Sequence, residues 1–111
     1  MTDCLFCRIV QGEIPAKIVA RNDDAVAFRD VDPRAPVHVL VVPRAHVPSM
    51  TDADPATLGA VLSLAADVAR QEGVTESGYR VVINTGEHAG QSVHHLHAHV
   101  LGGRDMAWPP G

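Results

Sequence analysis

Residues 95–101 read His95-Leu96-His97-Ala98-His99-Val100-Leu101, so imidazole and apolar side chains alternate along this stretch. Successive side chains of an extended strand point to opposite faces of a sheet, and the strand rises about 3.3 Å per residue. A strand over residues 94–101 therefore predicts three imidazoles in a row, about 6 to 7 Å apart, on one face. The other face is uniformly apolar and is expected to lie against the core.

The segments around this strand indicate an α+β domain with a mostly antiparallel sheet. Apolar, β-branched runs bounded by proline, glycine and turn residues predict four further strands. We expect these strands at residues 18–20, 25–28, 37–42 and 79–84, the first two forming a hairpin. A short helix is expected at Leu5–Val10, with Gly12 as its stop.

One long helix is predicted between the third and fourth strands. Asp54 suits the N-cap, Pro55 suits the first helical position, and Gly73 ends the run. Apolar residues recur at helical spacing between these two ends and are interpreted as core contacts. They are Leu58, Val61, Leu62, Ala65, Val68 and Ala69.

Length and charge exclude several classes of protein. With 111 residues, the chain has room for one domain, residues 1–111. Nine basic and 13 acidic residues give a net charge of -4, and no basic cluster suggests nucleic acid or an anionic membrane as a partner. No apolar stretch is long enough to span a bilayer, and the first ten residues do not resemble a signal peptide, so a cytoplasmic location is expected.

The three histidines allow two kinds of chemistry. They could together hold a catalytic zinc, or one imidazole could attack phosphorus while a neighbour neutralises or protonates oxygens. The polar, glycine-rich segment over residues 84–92 leads directly into the strand and favours the second interpretation. Its backbone N–H groups and the Ser92 hydroxyl are able to face an anion near His97 and His99.

A second cluster of possible ligands begins with Cys4-Leu5-Phe6-Cys7. This spacing lets two thiolates occupy adjacent vertices of a zinc tetrahedron, but it also occurs in redox pairs and in inert buried cysteines. The surrounding pattern lacks the thioredoxin-like context that a redox pair would need. A zinc site would require two more ligands and would stabilise so small a domain.

The histidine strand resembles the His-φ-His-φ-His-φ-φ signature of the histidine triad (HIT) superfamily of nucleotide hydrolases and transferases, where φ is an apolar residue. The resemblance extends over nearly the whole chain. Within the superfamily, the chain is most similar to the branch of histidine triad nucleotide-binding proteins (Hint). Its terminal Trp108-Pro109-Pro110-Gly111 favours that branch over the dinucleoside polyphosphate hydrolases. The other matching segments are Gly12-Glu13-Ile14-Pro15-Ala16-Lys17, Gly78-Tyr79-Arg80-Val81-Val82-Ile83-Asn84, Gly90-Gln91-Ser92-Val93 and Leu101-Gly102-Gly103-Arg104.

This resemblance implies a homodimer in which two five-stranded sheets form one ten-stranded sheet and bind purine nucleotides. It implies hydrolysis of purine nucleoside 5'-phosphoramidates through a covalent nucleotidyl-histidine, with no metal needed for catalysis. His97 would be the nucleophile, His99 would hold phosphate oxygens, and Ser92 would assist the departing amine. Nucleotide contacts would come from Ile14, Phe28, Asp30, Val31, Asn84, Gly90, Gln91, Ser92, Val93, His97, His99 and Trp108, with Asp30 on the ribose and Trp108 reaching toward the partner's site.

The resemblance also implies a structural zinc held by Cys4, Cys7, His46 and His95, which would leave two histidines of the triad for phosphate chemistry. His38 is expected either to be hydrogen-bonded in place or to orient His97. Two other functions remain open. One is hydrolysis of dinucleoside polyphosphates, and the other is a nucleotide-binding regulatory role with incidental hydrolysis.

Overall fold

The structure, a computed structural model, describes residues 3–111 as one antiparallel sheet with two helices. The five strands have the spatial order β1-β2-β3-β5-β4. This arrangement confirms the α+β class, the five strands, the main helix and the short N-terminal helix. The elements are α1 (Leu5–Val10), β1 (Ile18–Arg21), β2 (Ala25–Arg29), β3 (Val37–Pro43), a 3-10 turn (Met50–Asp52), α2 (Pro55–Gln71), β4 (Tyr79–Val82) and β5 (Ala98–Gly102).

Helix α2 begins as the sequence predicts. The Asp54 side chain accepts a hydrogen bond from the Thr57 N–H at 2.7 Å, and Pro55 is the first helical residue. Gly73 follows the helix with φ of 73°, a conformation that costs glycine little. The prediction for Leu62 is wrong, because this side chain is 45% exposed while Leu64, three positions beyond the buried Val61, lies in the core.

Apolar side chains cover both faces of the sheet. Helix α2 packs on one face, against a cluster that includes Val39, Val41, Leu96, Ala98 and Val100. Leu96, Ala98 and Val100 therefore lie on the core side, as the alternation predicts. On the opposite face, Phe6 of α1 packs with a second cluster of Val26, Phe28, Leu40 and Val42.

Two predicted strands are too long. β5 begins at Ala98 rather than at residue 94, because the chain bends over residues 93–95 and the Leu96 N–H donates to the Val47 carbonyl at 2.7 Å, outside the sheet. β4 ends at Val82 rather than at residue 84, since its last partner, His99, lies next to the first residue of β5. Within residues 3–111, no helix is long and apolar enough to cross a membrane.

Candidate active site and metal centre

His97 lies immediately before β5 and is buried, with 6% of its surface exposed. Its Nδ1 is 2.8 Å from the backbone carbonyl oxygen of His95. Because a carbonyl oxygen only accepts hydrogen bonds, Nδ1 carries the proton and the neutral ring keeps an electron pair on Nε2. The Phe6 ring packs edge-on against this imidazole, 5.1 Å between centroids. His97 is therefore held in one tautomer with a nucleophilic nitrogen on its far side.

His99 is held by a chain of hydrogen bonds that starts at the backbone of Arg34. The Arg34 N–H donates to His38 Nδ1 at 2.9 Å, so the proton of the neutral His38 ring lies on Nε2. His38 Nε2 then lies 2.9 Å from His99 Nδ1 and donates to it. The remaining nitrogen of His99, Nε2, consequently carries a proton that can be donated to a bound anion.

The protonation states at neutral pH agree with this chain. Burial, followed by the charges of His97 and His38, lowers the pKa of His99 to about 4. Burial also lowers the pKa of His38, against the opposing effect of Asp30. Both rings are therefore neutral near pH 7, as a chain with one proton per ring requires.

Asp30 joins the same cluster from the end of β2. Its Oδ2 lies 3.3 Å from His38 Nε2, and its Oδ1 accepts from the Asp32 N–H at 2.8 Å. A carboxylate has about four acceptor positions, so Asp30 keeps acceptor capacity for hydroxyl groups of a ligand. His38 contacts His99 and Asp30. Of the two expectations for His38, the structure therefore supports a ring that is hydrogen-bonded in place, and the histidine that it orients is His99 instead of His97.

The loop before His95 is closed by its own hydrogen bonds. The Gly90 N–H donates to the Glu87 carbonyl and the Gln91 N–H to the Gly86 carbonyl, so neither is free to face an anion. Three other donors of this loop make no hydrogen bond to any group within residues 3–111. They are the Ser92 N–H, the Ser92 hydroxyl and the Val93 N–H. Ser92 is exposed and Asn84 is half-buried. Ser92 and Val93 are thus the loop's available backbone donors next to the histidines.

The remaining predicted contact residues differ in burial. Phe28 is buried against Phe6, at 5.6 Å between ring centroids, and Ile14 is half-buried. Val31 is fully exposed and Trp108 is 80% exposed. These last two side chains are accessible to a ligand or a partner.

The four predicted metal ligands do converge. Cys4 Sγ and Cys7 Sγ lie 3.3 and 3.4 Å from His95 Nδ1, and Cys7 Sγ lies 3.3 Å from His46 Nδ1. All four ligand atoms lie within 4.8 Å of one another. Tetrahedral zinc with ordinary Zn–S and Zn–N bonds separates sulfur and nitrogen ligands by about 3.5 Å. The cluster therefore fits a tetrahedral metal ion.

The backbone orients His95 for this role. Its Nε2 donates to the Pro43 carbonyl at 2.9 Å, which leaves Nδ1 free of a proton and directed to the cysteines. Burial lowers the pKa of His95, which also favours the neutral form that binds metal. His95 and His97 thus belong to different clusters although only one residue separates them.

Sequence reasoning missed three of the groups that hold these histidines. They are the Phe6 ring, the Arg34 N–H and the Pro43 carbonyl. Two of the three are backbone groups and carry no residue-type signal. Phe6 lies inside the Cys4–Cys7 spacing, and its position in the sequence gives no indication of His97.

Comparison with known proteins identifies relatives over nearly the full length of the chain. The model of the HIT domain family matches residues 11–106. The purine nucleoside phosphoramidase of Escherichia coli is 42% identical, over 94% of this chain and 90% of its own length. A HIT family hydrolase from Legionella pneumophila superposes with a TM-score of 0.94 at 46% identity, over 98% of this chain and all of that chain.

A zinc-bound relative bears on the cysteine–histidine cluster. The structure of a Zn-bound histidine triad family protein from Mycobacterium smegmatis matches with a TM-score of 0.85 at 31% identity, over 93% of this chain and 76% of that chain. That protein binds zinc within the same fold.

Proposed function

The chain belongs to the HIT domain family, and we propose that it hydrolyses purine nucleoside 5'-phosphoramidates to a nucleoside monophosphate and an amine. The 42% identity to the E. coli purine nucleoside phosphoramidase supports this reaction and the purine base. The observation that carries the proposal is the state of His97. Its Nδ1–H is occupied by the His95 carbonyl, so its Nε2 electron pair is the one available for attack.

The reaction has two steps at this nitrogen. In the first, Nε2 of His97 forms a bond to the α-phosphorus while the phosphorus–nitrogen bond of the substrate breaks. The amine leaves with the bonding electrons and takes a proton from the Ser92 hydroxyl, which regains one from water. In the second, water attacks phosphorus, the bond to Nε2 breaks, and the water's surplus proton passes to solvent. The products are the monophosphate and neutral His97.

The other side chains of the site bind and orient the substrate. His99 donates its Nε2–H to a phosphate oxygen, since His38 occupies its other nitrogen. Asp30 accepts hydrogen bonds from the ribose hydroxyls, and Asn84 lies along the phosphate. Ile14, Phe28 and Val31 surround the base, Val93 lies beside the phosphate, and Trp108 contributes to the leaving-group side of the partner's site.

The test is steady-state hydrolysis of a fluorogenic adenosine phosphoramidate by wild type, His97→Ala and His88→Ala. His88 is an exposed histidine of the adjacent loop and is the matched control. We expect the His97 variant to lose at least about 10³-fold in kcat and the control to match wild type. Intact mass should show a nucleotide adduct on wild type and on the control but not on the His97 variant. Equal, negligible rates in all three proteins with normal nucleotide binding would identify a binding protein instead. Faster turnover of a diadenosine polyphosphate would identify the other hydrolase branch.

We also propose that two copies pair through β4, which is an edge strand of the sheet. Tyr79 and Val81 lie two residues apart and so point to the same face of this strand, where they are 37% and 36% exposed. Pairing of two such edges would make one ten-stranded sheet and cover these side chains. Sedimentation of wild type beside Val81→Lys tests this interface, and a monomeric wild type at micromolar concentration would contradict it.

Zinc is the metal we propose for Cys4, Cys7, His46 and His95. Two thiolates and two imidazoles are a typical structural zinc set, and it uses all four ligand positions. The ion would connect α1 to the segment before β5 and would act in stability, not in bond breaking. Metal analysis of protein from zinc-replete cells should give about one zinc per chain. Metal-free protein under those conditions would contradict the proposal.

A further inference from the structure

We propose that Gln91 is a positioning residue that sets the place of Ser92 relative to His97, rather than a nucleotide contact. This inference rests on the proposed function, because it concerns the step in which Ser92 assists the departing amine. It is carried by the hydrogen bonds of the Gln91 side chain.

The Gln91 amide is fully engaged within the protein. Its Oε1 accepts from the Gly86 N–H at 3.0 Å, and its Nε2 donates to the Pro48 carbonyl at 2.7 Å and to the Val93 carbonyl at 3.1 Å. An amide nitrogen has two hydrogens, and both are used. Gln91 therefore has no N–H left for a phosphate or a base.

These bonds enclose Ser92. The bond from Nε2 to the Val93 carbonyl spans Ser92, and the Gln91 backbone N–H donates to the Gly86 carbonyl at 3.1 Å. Gly86 and Gln91 thus bond each other twice, once through the backbone and once through the side chain. The loop is closed just before Ser92, so the backbone of Ser92 has little freedom to shift.

The carbonyl groups of two adjacent residues, Val47 and Pro48, hold the residues that precede His97 and Ser92. The Pro48 carbonyl holds Gln91, the residue before Ser92, and the Val47 carbonyl accepts from the N–H of Leu96, the residue before His97. The separation between hydroxyl and nucleophile is therefore set through neighbouring peptide groups. A displacement of about 1 Å in such a pair costs about 100-fold in rate.

The experiment compares Gln91→Met, which keeps the side chain's length without hydrogen bonds, with Gln71→Met. Gln71 is the matched control because its exposed side chain donates one hydrogen bond, to the Val19 carbonyl at 2.9 Å, on helix α2. We expect Gln91→Met to lower kcat about 10- to 100-fold on an alkylamine phosphoramidate with KM within about twofold, and Gln71→Met to leave both unchanged.

Two further readouts separate positioning from mere stability. With a leaving group that departs without protonation, such as 4-nitrophenolate, the defect of Gln91→Met should fall to within about threefold of wild type. The double variant Gln91→Met/Ser92→Ala should be no slower than Ser92→Ala alone, because both changes remove the same assistance. If the double loss equals the product of the single losses, or if KM rises about tenfold at unchanged kcat, the inference is wrong.

A second variant and a second signal keep the test decisive. Gln91→Glu retains the shape but presents carboxylate oxygens to two carbonyl oxygens, so it should show the same kinetic defect if Gln91→Met does not fold. If wild type itself does not hydrolyse phosphoramidates, the proposed function fails separately. The contact network is then tested by amide hydrogen exchange of Gly86, which should be at least about tenfold faster in Gln91→Met than in Gln71→Met, because methionine removes the acceptor of the Gly86 N–H. Unchanged exchange would overturn the inference.

Discussion

Substitutions of His38 should separate the two halves of the hydrogen-bond chain that orients His99. Asparagine places a polar atom near the position of the histidine Nδ1, and glutamine places one near the position of Nε2. His38→Asn can still accept from the Arg34 N–H but cannot reach His99, whereas His38→Gln can still donate to His99 Nδ1. We expect the asparagine variant to be the slower enzyme.

The magnitude follows from the bond that is lost. Leaving a buried donor or acceptor without its partner costs about 1–3 kcal/mol, and each 1.36 kcal/mol is about tenfold in rate. His38→Asn should therefore lower kcat on a phosphoramidate by about 5- to 150-fold with little change in KM. His38→Gln should stay within about fivefold of wild type, since it keeps the donor to His99.

The assay pairs kinetics with the tautomer of His99. Ring-nitrogen NMR should find the proton on Nε2 of His99 in wild type and in His38→Gln, and a mixture of tautomers in His38→Asn. Because His88 is exposed and takes no part in the hydrogen bonds that hold His99, His88→Asn is the control for histidine loss in general. Full activity of His38→Asn, or an unchanged His99 tautomer in that variant, would show that His38 does not orient His99.

Three further predictions concern pH, metal and packing. The pKa of His99 is about 4 in the folded chain and about 6.5 in the unfolded chain, so the unfolded state binds the proton first as pH falls. The free energy of unfolding should therefore decrease by about 3 kcal/mol between pH 6.5 and pH 4. Urea unfolding should show a shallower decrease for His99→Asn, and equal decreases in both proteins would contradict this pKa. Cys7→Ala should lose bound zinc and unfold at lower urea than wild type, while His88→Ala retains the metal; a full zinc content in the cysteine variant would exclude this site. Leu96→Ala removes a side chain that is 1% exposed and should lower the free energy of unfolding by about 2–5 kcal/mol. Leu62 is 45% exposed, so Leu62→Ala should lower it by less than about 1 kcal/mol. Similar losses in both variants would show that Leu96 does not anchor the core.

Much of the architecture was accessible from the sequence because its signals are local. Asp54 marks the start of α2 because its side chain accepts from an N–H of the first turn that has no partner within the helix. Pro55 suits the first position because it has no N–H to satisfy. Alternation assigns Leu96, Ala98 and Val100 to the core because successive side chains of an extended chain face opposite ways. The four-ligand cluster was accessible only through family resemblance, since spacing within Cys4–Cys7 names two ligands and no more.

Which cluster each histidine joins depends on contacts between segments that are far apart along the chain. The register of β3 on β5 pairs His38 with Leu101 and Leu40 with His99, which makes His38 a diagonal neighbour of His99. Register between strands so distant along the chain is set by packing and turns, not by local pattern. The bend over residues 93–95 likewise directs His95 to the cysteines and shortens β5. The His95 ring and the Leu96 N–H bond the carbonyls of Pro43 and Val47, which belong to a separate segment. Local pattern predicts most of the side chains that face the core, because alternation and helical spacing need no distant partner. The partners of His95 and His99 lie 52 and 61 residues away along the chain, so the partners of these two rings depend on how the strands pack.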